Sequence, residues 1–454
     1  MMEIQAMRRG STGLTRQVIW LASPLVLQNL SQTLLGVIDT YFVSRLSTDA
    51  LAAVGLASMI FMALYMFFRG TANSTVVFVG RAYGEGDPAK IGAAVWRGLN
   101  MIAWLSLLVI VLPWLSGVLM NLAAPADSLA VRDLGTQYLR IRAFELLLIM
   151  FSAVVWGFLV GRGDSRTPML LAWLTVLANV FLDWLLVLGN WGAPALGVAG
   201  AAYATVMANG LNALLSAVIL WNRTNRQQYA TGQPRFFTWT ELRGALQVGL
   251  PMGVGDFIEI ASFSVFFALI ARLGTDLLAA NQIALQYMNI SFTLGMAVNM
   301  ATASLVAQYL GAKRPDFAQL VTYRACLVAI VGMGLIGLGY LVAPEVLMRV
   351  FSDEVSVIAA GVTILQLVAF YQIFDAAGIV LAGALNGAGD TTFTMIVRSL
   401  LAWLFFIPLV WLLIFPLDTG VTGAWIAALV YLLVLTTIYI FRFRSGRWKT
   451  IQVG

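Results

Sequence analysis

Apolar residues run through this chain in twelve long stretches, at residues 18–44, 50–79, 91–119, 131–160, 168–189, 197–221, 243–271, 277–307, 318–343, 356–386, 392–416 and 420–441. Short polar or Gly/Pro-containing turns such as "GEGDPAK", "GRGDSRTP" and "GAKRPD" separate them. Each stretch reaches the roughly 20 residues a helix needs to cross a bilayer. The pattern predicts an all-α integral membrane protein with twelve transmembrane helices. Arg8, Arg9 and Arg16 precede an apolar run that continues for a full span, so the first stretch reads as a retained helix rather than a cleaved signal peptide.

Composition supports lipid as the solvent. The 454 residues are 60% hydrophobic and 11% charged, with a mean hydropathy of +0.87. Cys326 is the single cysteine and histidine is absent. An intrachain disulfide is therefore excluded, a His/Cys metal site is not expected, and any proton relay must use carboxylates. With the N-terminus inside, 20 of the 27 Lys and Arg fall in cytoplasmic segments and six in external flanks, leaving Arg69 within the second span. The reading is a multi-pass protein of a bacterial-type inner membrane with both termini cytoplasmic. The +6 net charge reflects this topology and not a nucleic-acid partner. "FRFRSGRWK" near the C-terminus reads as an inner-leaflet anchor, with Trp448 at the interface.

The chain also repeats. With Pro24 on Pro251, "RLSTDALAAVGLA" (45–57) matches "RLGTDLLAANQIA" (272–284) at eight of thirteen positions. "GRGD" (161–164) pairs with "GAGD" (387–390), and "GVAGA" (197–201) with "GVTGA" (420–424). Six spans per copy keep both copies in one orientation, which predicts two parallel lobes related by a pseudo-two-fold axis along the membrane normal. The expected organisation is a cytoplasmic N-terminal segment (1–17), an N-lobe (18–221), a cytoplasmic linker (222–242), a C-lobe (243–442) and a cytoplasmic tail (443–454). Two lobes about a central cleft in one chain suit a monomeric alternating-access transporter for small molecules, with lipids as the other partner. No nucleophile motif or metal spacing suggests an enzyme, and no cofactor is expected.

Duplication acts as an internal control, because polar residues present in one copy alone are candidates for function. Asp39 aligns with Phe266, and a carboxylate at mid-span costs roughly 2.5–3.5 kcal/mol on insertion scales. Asn179 and Asp183, four apart on one face of the fifth span, align with Phe405 and Leu409. In the second copy, Asp256 and Glu259 share a face of the seventh span opposite Asn29 and Gln32, and Asp375 of the tenth lies opposite Ile149. Intramembrane carboxylates face the protein interior or a water-filled cavity. Asp39 could alternatively form a static pair with Arg69, Asp256 could be a solvated entrance residue, and Thr205 on spacing alone reads as a packing threonine. Glu145 and Arg142 read as a structural pair.

Two carboxylates, an amide and a hydroxyl make a hard, oxygen-rich set suited to H⁺ or Na⁺, so Na⁺ at Asp39, Asn179, Asp183 and Thr205 is an expected occupant. Neighbouring carboxylates in a low-dielectric site oppose each other's ionisation, which lets one hold a proton.

"ASPLVLQNLSQTLLGVIDTYFVSRL", "VGLPMGVGDFIEIASF" and "VAQYLGAKRPD", together with the paired repeats, resemble the multidrug and toxic compound extrusion (MATE) family over residues 18–442. The resemblance implies a cation-coupled antiporter, driven by H⁺ or Na⁺, that exports amphipathic and often cationic drugs. It places the family's N-lobe cation site on Asp39, Asn179, Asp183 and Thr205, and the C-lobe acids of one branch on Glu259 and Asp375. Arg69 departs from the family pattern. A flippase for lipid-linked precursors on a related fold is the alternative, and it would favour a strongly basic cavity.

Overall fold

The computed structural model describes residues 12–124, 128–236 and 238–453; Arg8 and Arg9 of the N-terminal segment lie outside the described residues. In chain order the helices are α1 (Thr12–Ser44), α2 (Thr48–Asn73), α3 (Thr75–Glu85), α4 (Pro88–Ala123), α5 (Leu129–Ala143), α6 (Glu145–Gly161), α7 (Arg166–Leu186), α8 (Gly197–Leu220) and α9 (Arg223–Tyr229). They continue with α10 (Trp239–Ala271), α11 (Thr275–Gly311), α12 (Pro315–Val342), α13 (Pro344–Arg349), α14 (Val355–Gly387), α15 (Thr391–Leu400), α16 (Ile407–Ile414) and α17 (Gly420–Arg444). The described residues contain no strand. Among the described residues, twelve helical spans are long and apolar enough to cross a membrane, with α2–α3, α5–α6 and α15–α16 each forming one span. The protein is an all-α, multi-pass membrane protein.

Local chemistry sets the helix ends. Ser47 caps α2 by accepting from Ala50 N at 3.0 Å. Gly86 turns left-handed at φ 74° after α3, Asp87 caps α4 through Ala89 N and Lys90 N, and Pro88 occupies the first turn. Several helices outrun the apolar stretches that mark them. Helix α4 spans 36 residues, about 54 Å at 1.5 Å per residue, against a hydrocarbon core of about 30 Å.

The chain forms two compact units: Leu27–Val254, and the residues through Val26 together with Gly255–Val453. In the first, Gly157 lets α6 meet α3 closely, since a Cβ there would stand 2.9 Å from Thr75 Cβ. The segment after α8 is seated on the same unit. Trp96 Nε1 donates to Thr231 O (3.0 Å), Asn100 Nδ2 to Arg235 O (2.8 Å) and Arg162 to Asn225 Oδ1 (3.0 Å).

In the second unit, a widened π turn at Leu401–Phe406 joins α15 to α16. It adds one residue between "GAGD" and the rest of the eleventh span. Phe406 and Val410, 1% and 0% exposed, therefore take the inward positions that Asn179 and Asp183 hold in the first unit. The expected partners Phe405 and Leu409 are each one residue short. The C-terminal expectation is also corrected. Trp448 is fully buried, stacked on Phe443 at 4.7 Å and donating to Phe443 O at 2.8 Å, so it belongs to the protein core and not to a lipid interface.

Candidate functional site

Three helices of the first unit bring the unshared polar residues together. Asp39 comes from α1, Asn179 and Asp183 from one face of α7, and Thr205 from α8; Asp39 is 6% exposed and the other three are fully buried. Thr205 Oγ1 lies 3.3 Å from Asp39 Oδ2 and 2.9 Å from Ala201 O, so its single proton serves one or the other. Asn179 Nδ2 lies 3.5 Å from Thr205 Oγ1. The Asp39 and Asp183 carboxyls face each other within hydrogen-bonding reach. Two carboxylates have no proton to share. Asp39 Oδ1, Asn179 Oδ1 and both Asp183 oxygens are buried without a donor among the described residues. Buried acceptors left bare cost on the order of 1–3 kcal/mol each, more when charged. A proton or a small hard cation would satisfy all of them, so the donor set fits H⁺ or Na⁺.

A second charged group adjoins this cluster. Arg142, in the last turn of α5, donates to Glu145 in the first turn of α6 through Nε–Oε2 at 2.6 Å and NH2–Oε1 at 3.0 Å. A cation at a helix C-terminus and an anion at an N-terminus are each favoured by the helix dipoles. Tyr138 OH accepts from Arg142 at 3.0 Å, Asn209 Nδ2 donates to Glu145 at 3.0 Å, and the guanidinium covers Phe61 at 4.0 Å. The expected structural pair is therefore present, and it borders the same cavity as Asp39. Arg69 does not pair with Asp39. Its guanidinium sits over the Tyr65 ring at 5.3 Å, with no carboxylate within 4 Å among the described residues. A cavity of about 390 Å³ opens beside the cluster, bordered by Asp39, Arg69, Arg142 and Glu145 with the amides of Asn209 and Asn212.

The second unit gathers its acids around a cation that lies within the eleventh apolar stretch. Arg398 of α15 reaches Glu259 at 2.9 Å and Asp256 at 3.4 Å. Asp375 of α14, 8% exposed, lies within electrostatic range of Glu259 and Arg398. Arg398 lies opposite Leu171 or Ala172 of the first copy, so the duplication control applied to cations would have singled it out. Where the first unit holds its polar cluster, the second packs aromatic rings. Phe266, the counterpart of Asp39, meets Phe406 at 5.5 Å and Trp425 at 5.6 Å.

The MatE family model matches residues 24–185 and 251–412, one copy for each half. Both ends of the two matches differ by 227 residues, the offset that the π turn restores after "GAGD". A probable multidrug resistance protein NorM of Thermotoga maritima is 25% identical over 96% of this chain and 93% of its own length. One from Synechocystis sp. is 28% identical over 99% of each chain. Among solved structures, a MOP superfamily transporter from Pyrococcus furiosus superposes with a TM-score of 0.87 at 19% identity over 99% of both chains. A multidrug resistance MATE family transporter in an outward-facing conformation gives the same TM-score, identity and coverage. With each half matched by the family model and the fold shared end to end, this chain belongs to the MatE family.

Proposed function

We propose that the protein is a transporter, not an enzyme, that exports amphipathic small molecules by antiport against H⁺ or Na⁺, and that Asp39, Asn179, Asp183 and Thr205 form the coupling site. The observation that carries this reading is the group of buried, donor-less oxygens shared by Asp39, Asn179 and Asp183. A cation entering the cluster would relieve them, and its departure would restore the penalty. That gives two states of different packing around one ion. The relatives named multidrug resistance proteins support the export of drugs. The reading includes an inner-membrane monomer with both termini cytoplasmic, and no cofactor. The cavity mixes acids with arginines, unlike the uniformly basic wall that a lipid pyrophosphate would favour. Glu259, Asp375 and Asp256 would form a second acidic station whose resident counter-charge is Arg398.

The test is dye efflux from proteoliposomes under imposed gradients. A Na⁺ gradient alone or a pH gradient alone should drive export, and whichever does so identifies the ion. Export indifferent to both gradients would remove the antiport reading.

A further inference from the structure

Four charged side chains border the cavity of the first unit, and three are committed. Arg142 and Glu145 hold each other in a two-point ion pair, and Asp39 belongs to the buried oxygen cluster. Arg69 is the exception. Its guanidinium stays charged at any accessible pH and offers five donors in a planar fork matched to a carboxylate. Its described contact is the face of Tyr65, and no carboxylate of the described chain lies within ion-pair distance. A full positive charge of this kind inside a membrane protein is costly unless something answers it.

The cavity has two poles. Phe61 lies under Arg142, and Arg69 stands eight residues further along α2, about 12 Å at 1.5 Å per residue. Tyr65, Met62 and Met66 line the wall between them, an aromatic and thioether surface that suits a flat apolar body.

We propose that Arg69 is an anion-recognising subsite of this cavity, taking the carboxylate of a zwitterionic amphipathic ligand whose apolar body lies along Tyr65, Met62 and Met66. The proposal deepens the export reading and rests on it for its transport consequence, but not for binding. Arg69 makes the site selective between a carboxylate and its ester, a distinction that an acidic cavity alone would make in the opposite direction.

The probes are rhodamine 110, which carries a free carboxylate, and rhodamine 123, its methyl ester. Binding is read by fluorescence anisotropy on the purified full-length protein. Arg69→Met should weaken rhodamine 110 about tenfold while holding rhodamine 123 within about twofold, the size expected for a lost charge-assisted contact. Arg69→Lys, which keeps the charge but not the planar fork, should recover part of the loss, and retained rhodamine 123 binding shows that the variants are folded. Equal weakening of both dyes, no weakening of either, or a wild type that does not bind rhodamine 110 overturns the proposal. Selective binding by a wild type whose proteoliposomes export neither dye would count against the export reading and leave the subsite standing.

Discussion

Phe266 lies against Phe406, ring centroids 5.5 Å apart and both side chains 1% exposed. The corresponding pair in the other unit is Asp39 and Asn179. Duplication thus produced one scaffold with two fillings, an aromatic core in one copy and a bare oxygen cluster in the other. The aromatic copy shows what the position looks like when it serves packing alone.

Phe266→Ala should therefore act on stability. Truncating a fully buried Phe costs about 3–5 kcal/mol, so the melting temperature of the purified protein should fall clearly, while Phe266→Leu should fall much less. The ion dependence of transport should stay that of the wild type at equal membrane abundance.

Much of this was legible in the sequence. Twelve apolar runs, the even number of spans per copy and the unshared Asp39, Asn179 and Asp183 each follow from physics that acts locally or through simple periodicity. Other features depend on geometry that no pattern announces. The π turn at Leu401–Phe406 shifts the second copy by one residue without changing its hydropathy, so Phe405 looked equivalent to Asn179 when Phe406 is. Arg69 looked available to Asp39 because both lie in adjacent spans, yet its guanidinium sits over the Tyr65 ring. Trp448 looked interfacial because it sits among arginines. Its tertiary contact to Phe443 decided the placement.

The Arg142–Glu145 pair should show strong coupling. Glu145→Ala leaves a buried guanidinium unanswered, at a cost of about 3–5 kcal/mol, whereas Arg142→Met with Glu145→Ala removes both charges and should recover most of that loss. Thermal melts of the two single variants and the double variant measure it; additive losses would contradict the pairing.

Arg398 supplies the second unit with a tethered cation, so its removal should create a demand for a free one. Added Na⁺ should raise the melting temperature of Arg398→Gln by about 2–4 °C more than that of the wild type. Equal responses to Na⁺ would show that Glu259, Asp256 and Asp375 do not depend on Arg398.

Trp448 holds the C-terminal tail through its stack on Phe443, and Lys449 Nζ reaches Gln319 at 2.6 Å. Trp448→Ala should expose Arg447 and Lys449 to trypsin under conditions where the wild-type tail resists. Limited proteolysis followed by intact mass reads this directly.

The central claim is that the Asp39 cluster couples ion entry to export. Substrate counterflow and gradient-driven uphill export, measured side by side in proteoliposomes of wild type, Asp39→Asn and Asp183→Asn, separate movement from coupling. The account predicts that both variants keep measurable counterflow of a bound dye while losing uphill export under either ion gradient, since an amide retains the shape but cannot take up the ion in the same way. Wild-type uphill export by Asp39→Asn at equal protein abundance would contradict it.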